Sequence, residues 1–283
     1  MQLLHHDAIE TRQRGTNHRV GSFIFKDLGS GRRGRPDNFL LRLVTSGTDF
    51  FSPRHMHNFD QVRVQIRGTF SFDADGLMEP GSVGYFPEGT AYGPQTSRED
   101  TVQLVMQIGG PSGNGYLSEA ERVSAVDALA AQGEFRGGHY FRRGSDEGID
   151  GFQAAWEQAQ GRAMVYPPKR LQRPLLVEPE AFDWLPAGPA GVEHKTLVDF
   201  GRRTVGVRLF RLAEGAALPL SGPLSCFVET GGGVVESGGE RRSCGRFDTL
   251  HLEAGESATL KAGLASRLIV FTHPVFEAAP AAH

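Results

Sequence analysis

Between Val20 and Ile108 apolar and polar residues alternate in short runs, GSFIFKDL, NFLLRLVTS, DQVRVQIRG, GTFSFD, SVGYF and TVQLVMQIG, separated by clusters of Gly, Pro, Asn and Asp. Alternation of period two with turn residues between the runs predicts half-buried strands, and Asp75 followed by Gly76 marks a hairpin. Many short strands in series predict a sandwich or a closed barrel. After GGPSGNGYL the period changes. Ser118 and Glu121 form a capping box, and Val123, Val126 and Ala130 recur at helical spacing until Gly133. A second helix is predicted over Gly151 to Gln160, where Phe152, Ala155, Trp156 and Ala159 make one apolar stripe behind the cap Asp150. Pro167, Pro168 and Pro174 in YPPKRLQRP return the chain to extended structure. From Leu175 the strand pattern resumes in LLVEP, HKTLVDF, RTVGVRLFRLAEG, LSCFVETGGGVVES, DTLHLEAG, SATLKAG and SRLIVFTHPV, and the tail EAAPAAH reads as disordered. The expectation is a mainly β chain: a strand-rich domain at 1–117, a helical connector at 118–163 and a second strand-rich domain at 164–283.

Composition narrows the function classes. With 283 residues, 39% of them apolar, 22% charged and 37 of them glycine, the chain is globular, rich in turns and long enough for two cores. A net charge of -3 and a pI near 6.4 give no basic footprint for nucleic acid or an anionic membrane, so a small molecule is the expected partner. No apolar run is long enough to span a membrane, and MQLLHHDAIETRQRG lacks the apolar centre of a secretory peptide, so a cytoplasmic location is expected. Cys226 and Cys244 are too far apart for a CxxC pair and read as free core thiols, with a disulfide as the alternative.

The chemistry concentrates in FSPRHMHNFDQVRVQIRGTFSFDADGLMEPGSVGYFPEGTAYGPQ. His55 and His57 stand one residue apart at the start of an alternating run that carries Gln61, Arg63 and Gln65, and side chains two apart on a strand share a face. The spacing His55, His57, Gln61, Gly68, followed by Gly81, Pro87, Gly89, Tyr92, resembles the two motifs of the cupin superfamily. Gln61 stands where most metal-binding cupins have Glu, and Tyr92 where they have a third His; Asp49 occupies a position expected to be Gly. The resemblance implies two double-stranded β-helix (jelly-roll) barrels, and it implies that His55, His57 and Gln61 hold a divalent metal, Fe, Ni, Mn or Zn. GAALPL, CFVETGGG and LHLEAG read as a second cupin whose ligands have decayed. Gly231 or Gly232 takes the place of the motif glycine there, Glu253 that of the Pro and Ala258 that of the third His.

An inward Arg63 needs a carboxylate, supplied either by a small substrate or by a protein acid such as Asp60 or Glu88. Tyr92 has three open roles: ligand, proton donor beside the metal, or packed aromatic. Gln65 and Gln103 are read as substrate contacts; Gln103 and Gln107 on the closing strand either line the same cavity or form a solvated strand face. The remaining histidines, His5, His6, His18, His139, His194, His251, His273 and His283, show no ligand spacing and read as surface or loop residues. GSGRRGR at 29–35 lacks the phosphate-loop pattern and reads as a basic loop, or as a lid over the barrel mouth. Two functions follow: a metal-dependent enzyme, of dioxygenase or lyase/isomerase type, acting on a small carboxylate-bearing molecule, with Arg63 and Tyr92 as its reacting-site groups; or a non-catalytic binding protein with no obligatory metal. A third reading makes the decayed half a scaffold that contributes a dimer surface or a face between the two halves rather than a site, with a homodimer as one assembly it allows.

Overall fold

The alternating runs pair as antiparallel strands in the computed structural model, which describes residues 1–15, 20–114 and 116–276. His18, His283 and the tail at 277–283 lie outside the described residues. The chain divides into two units, Thr11–Val177 and Met1–Glu10 with Glu178–His283. Both helices expected between the strand-rich halves lie inside the first of these units, and the first ten residues of the chain lie in the other.

In the Thr11–Val177 unit a seven-stranded sheet runs Leu175–Val177, Val83–Phe86, Asp60–Arg67, Thr101–Ile108, Phe39–Ser46, Ser22–Ser30, Arg12–Gly15. A four-stranded sheet of Phe51–Ser52, Gln95–Ser97, Phe70–Ser71 and Leu77–Met78 completes the jelly roll. The other unit repeats this order, in seven strands from Gln2–Leu4 through Thr249–Leu252, Leu224–Thr230, Ser266–Thr272, Gly206–Leu212 and Val192–Val198 to Leu185–Pro186, and in four from Ala217–Ser221 to Glu240–Cys244. Hydrogen bonding closes neither unit into a barrel among the described residues, so of the sandwich and the closed barrel that the alternation allowed, each jelly roll is two facing open sheets. Each large sheet ends on a strand from far away in sequence, Leu175–Val177 in one and Gln2–Leu4 in the other.

The helices form as the caps predict. Ser118 accepts from the Glu121 amide, and the Glu121 side chain accepts from Ser118 at the head of Glu119–Ala130. Asp150 accepts from the Phe152 and Gln153 amides at the head of Gly151–Gln160, which ends on Gly161 in the left-handed region. Between them lies a three-stranded sheet, Gly133–Arg136, His139–Arg142 and Gly148–Asp150, that the helical reading passed over. Its first hairpin turns on Gly137 and Gly138, both at positive φ.

The motif glycines have mechanical reasons. Gly68 has φ +70°, and a Cβ there would meet the Asp100 carbonyl at 2.7 Å. Gly89 has φ +74°, with the Pro167 carbonyl 2.3 Å from where its Cβ would stand. A side chain at either would strain the backbone and push the chain off its neighbour.

Candidate metal and anion site

The two motifs lie against each other. The His55 amide donates to the Tyr92 carbonyl (3.1 Å), the Tyr92 amide to the His55 carbonyl (2.9 Å), and the Gly89 amide to the His57 carbonyl (2.7 Å). This fixes the backbone that carries His55 and His57. Both rings are buried and line a cavity of about 140 Å3 inside the Thr11–Val177 unit, with their centroids 4.8 Å apart and nearly perpendicular. His55 Nδ1 lies 2.6 Å from the Pro53 carbonyl, which can only accept, so Nδ1 carries the hydrogen and Nε2 presents its lone pair. His57 stacks on Phe59 (4.3 Å) and meets the edge of Phe152 (5.1 Å).

Gln61, Arg63, Gln103 and Gln107 line the same cavity. Arg63 Nε donates to Gln61 Oε1 (2.8 Å) and its Nη1 to Gln103 Oε1 (3.4 Å), while its guanidinium sits 5.3 to 5.6 Å from the rings of Phe70, Phe72 and Phe86. Asp60 and Glu88, the protein acids considered for Arg63, are engaged elsewhere. Asp60 accepts from Tyr85, the Glu88 amide and Arg170, and Glu88 accepts from Ser112. Burial raises the Glu88 carboxyl above its ordinary pKa against the lowering effect of the Ser112 donors.

Tyr92 is fully buried in an aromatic cluster with Phe70, Phe72 and Phe86, and its hydroxyl donates to Gln61 Oε1 at 3.2 Å. Gln65 is not among the cavity-lining residues. Its amide nitrogen donates to the Arg67 and Gly68 carbonyls and its oxygen accepts from Gln103 (2.7 Å), so it reaches the cavity only through Gln103.

The far wall comes from residues that the strand pattern gave no reason to choose. Arg42 lines the cavity from the Phe39–Ser46 strand, Glu119 and Arg122 from the first helix, Phe152 from the second, and Tyr116 from the segment ahead of the first helix. Arg42 Nε donates to Asp27 (2.7 Å), its Nη2 stands 3.6 Å from Glu119, and Arg122 Nη2 donates to Glu119 (2.6 Å). Burial works against the charge on Arg42, but the bond to Asp27 and the charges of Asp27 and Glu119 outweigh it, and its pKa is raised. Burial pushes the Tyr116 phenol up to about 12, so it stays a neutral donor, here to Gln107 at 2.8 Å. The lining therefore carries three guanidiniums, Arg42, Arg63 and Arg122, against the one carboxylate of Glu119.

The two imidazoles suit a divalent metal: both are buried, both face one cavity, and the His55 tautomer is set by its carbonyl partner. No group of three or more His, Cys, Asp or Glu among the described residues is placed to hold a metal ion. Any further ligand from the described residues is therefore a neutral oxygen donor such as an amide, a hydroxyl or a phenol. The Gln61 oxygen already accepts from Arg63 and Tyr92.

Outside this cavity, two histidines read as surface or loop residues instead meet inside the fold, His251 buried and His273 half-buried. His251 Nδ1 and His273 Nε2 lie 2.7 and 2.8 Å from the hydroxyl of fully buried Ser225. Cys226 and Cys244 are free buried thiols, each raised in pKa by burial.

No family model matches the sequence, and no curated protein matches it. Solved structures do. Bacillus subtilis oxalate decarboxylase, studied for its Mn(II) centres, is 14% identical with a TM-score of 0.56, over 95% of this chain and 76% of that one. Streptomyces albus HEPD, solved with 2-hydroxyethylphosphonate and Fe(II) bound, is 13% identical with a TM-score of 0.59, over 99% and 77%. The E. coli protein YlbA is 11% identical with a TM-score of 0.61, over 98% and 92%. At such identities the likeness shows the fold, and it is the cupin jelly roll, here present in two units. No helix among the described residues is long and apolar enough to cross a membrane.

Proposed function

We propose that this chain is a metal-dependent cupin enzyme, of the oxygenase or the lyase/isomerase type, that takes a small carboxylate-bearing molecule into the Thr11–Val177 unit. The observation that carries the reading is that a pair of buried imidazoles and an excess of guanidiniums face one cavity. A cavity of about 140 Å3 suits a small ligand. Buried guanidiniums are costly unless paired, and an anionic guest offsets that cost. Metal-dependent relatives of the fold, with Mn or Fe, support the same choice of cofactor class.

His55 and His57 would hold the metal, and the ion would supply a Lewis acid or a site for dioxygen beside the substrate. The chain's own residues do the rest. Arg63, steadied by Gln61, Gln103 and three aromatic rings, orients the carboxylate; Tyr92 holds Gln61 in place; Phe152 and Phe59 pack around His57 and keep water from that wall.

A second reading, a binding protein without obligatory metal, is favoured by the Gln61 oxygen being spent on Arg63 and Tyr92. Elemental analysis of tag-free protein, purified without a chelating column and run beside His55→Ala, separates the two. Near-stoichiometric Fe, Mn, Ni or Zn that disappears in the variant supports the enzyme. Folded wild type that carries no metal, and takes none up when supplied, sinks it in favour of the binding protein.

A further inference from the structure

We propose that Gln95 is the third protein ligand of the metal centre, in the role that motif spacing assigns to Gln61. The proposal rests on the metal reading above. Gln95 opens the Gln95–Ser97 strand of the smaller sheet, opposite Ser52, is 1% exposed and lines the cavity. Its Oε1 is buried with no hydrogen-bond partner, and its Nε2 lies 3.4 Å from His55 Nε2. A buried amide oxygen left without a donor costs free energy unless a cation or a donor from a ligand meets it.

The spacing fits a shared ion. A half-turn of the terminal amide exchanges its oxygen and nitrogen, leaving the oxygen at that same separation from the imidazole lone pair. Two ligand atoms bound at about 2.1 Å sit roughly 3.0 Å apart at an octahedral right angle and roughly 3.4 Å apart at a tetrahedral one. With the amide turned in this way, His55 Nε2 and the Gln95 oxygen stand at the separation of neighbouring corners of a coordination polyhedron. Gln61 is the poorer candidate, because its oxygen is already doubly engaged, by Arg63 and by Tyr92. Binding through Gln61 would strip Arg63 of an acceptor; binding through Gln95 leaves the Arg63 cage intact.

The charge balance agrees with the substrate class. Two neutral imidazoles and a neutral amide leave the full double charge of the ion uncompensated by the protein. An anionic guest beside Arg63 would then bind to metal and guanidinium together, and each would strengthen the other's hold on it.

The test is a Co(II) titration of chelator-treated full-length protein, followed by visible absorption and by equilibrium dialysis, on wild type, Gln95→Leu, Gln95→Glu and Gln61→Met. Gln95→Leu is expected to weaken Co(II) binding at least tenfold and to alter the visible band; Gln95→Glu is expected to tighten binding at least tenfold by adding a charge; Gln61→Met is expected to stay within about threefold of wild type. Wild type that binds Co(II) with Gln95→Leu unchanged in affinity and spectrum overturns the Gln95 assignment and leaves the metal reading standing. The same holds if Gln61→Met takes the loss instead. If Gln95→Leu fails to fold, Gln95→Glu decides: no gain in affinity rejects the assignment. Wild type that binds no Co(II) overturns the metal reading and this assignment together.

Discussion

Gln61, Arg63 and Gln65 point into the Thr11–Val177 unit from the same sheet positions at which Leu224, Cys226 and Val228 fill the interior of the other unit. The strand registers establish the match. Gln61 pairs with Phe86 and Gln107 as Leu224 pairs with Leu252 and Thr272; Arg63 pairs with Gly84 and Val105 as Cys226 pairs with Leu250 and Val270. Gln103, opposite Gln65, corresponds to Leu268, opposite Val228, and His55, bridged to Tyr92, to Leu220, paired with Ala258. The motif glycine has kept its place: Gly231 follows Leu224 at the spacing by which Gly68 follows Gln61, and has φ +82° with the Ala265 carbonyl 2.6 Å from its would-be Cβ. One scaffold therefore carries two interiors. In one, the inward positions are polar and enclose a cavity; in the other, Leu218, Leu220, Val235, Leu250, Leu252, Leu260, Leu268 and Val270 form a packed apolar core. The backbone constraints hold in both, and what sets the units apart is the interior side chains together with the helical segment that walls the cavity in one of them.

Exchanging the interiors should give the largest effect. Cys226→Arg places an unpaired charge in the apolar core and should cost about 5 kcal/mol or more, read by urea unfolding or as lost soluble yield. Its counterpart Arg63→Met should shift stability by only about 1 kcal/mol, while binding of small carboxylates falls at least tenfold by calorimetry. Equal damage from the two would show that the interiors do not differ in what they tolerate.

A smaller effect separates the packed core from the cavity wall. Val270→Ala opens a new void and should cost about 2 kcal/mol, whereas Val105→Ala, at the matching position, only enlarges an existing cavity and should cost about half as much. Comparable denaturation midpoints for the two variants would contradict the distinction.

The smallest effect is a pH slope. Burial, and then the neighbouring His251, hold the His273 imidazole down to about 3 from its ordinary 6.5. Below pH 6.5 the unfolded chain takes up a proton that the folded chain refuses, so stability contributed here is present above about pH 6.5 and is lost as the pH falls toward 3. His273→Gln should flatten the stability profile in that window by up to about one proton. An unchanged slope would place the acid sensitivity elsewhere.

Much of this fold was legible because it depends on local periodicity. The strand runs, both helix caps and the glycines that need a positive φ each leave a mark within a few residues, and the pair His55 and His57 is visible because its spacing is itself local. Other parts left a weaker mark. Gly137 and Gly138 signal a hairpin that a helix-centred reading overlooks. His251 and His273 are 22 residues apart in sequence and meet at Ser225, on a different strand. Arg42, Tyr116, Glu119, Arg122 and Phe152 come from one strand, from the end of the first strand-rich domain and from the segment read as a connector, and nothing in their own neighbourhoods points to a shared cavity.

The sequence by itself determined which segments are strands and helices, where the chain must turn, and that two histidines share a strand-like face, because periodicity, capping and glycine sterics act between near neighbours. The tertiary structure decided which donors and acceptors are already spent. Whether Gln61 is a free ligand or a brace for Arg63, whether Gln95 stands beside His55 with an unmet oxygen, and whether Glu119 and Arg122 reach the cavity are set by distances that exist only in the folded chain. Hydrogen bonds and burial are properties of those distances, so the chemistry of the site could be read only once the chain was folded.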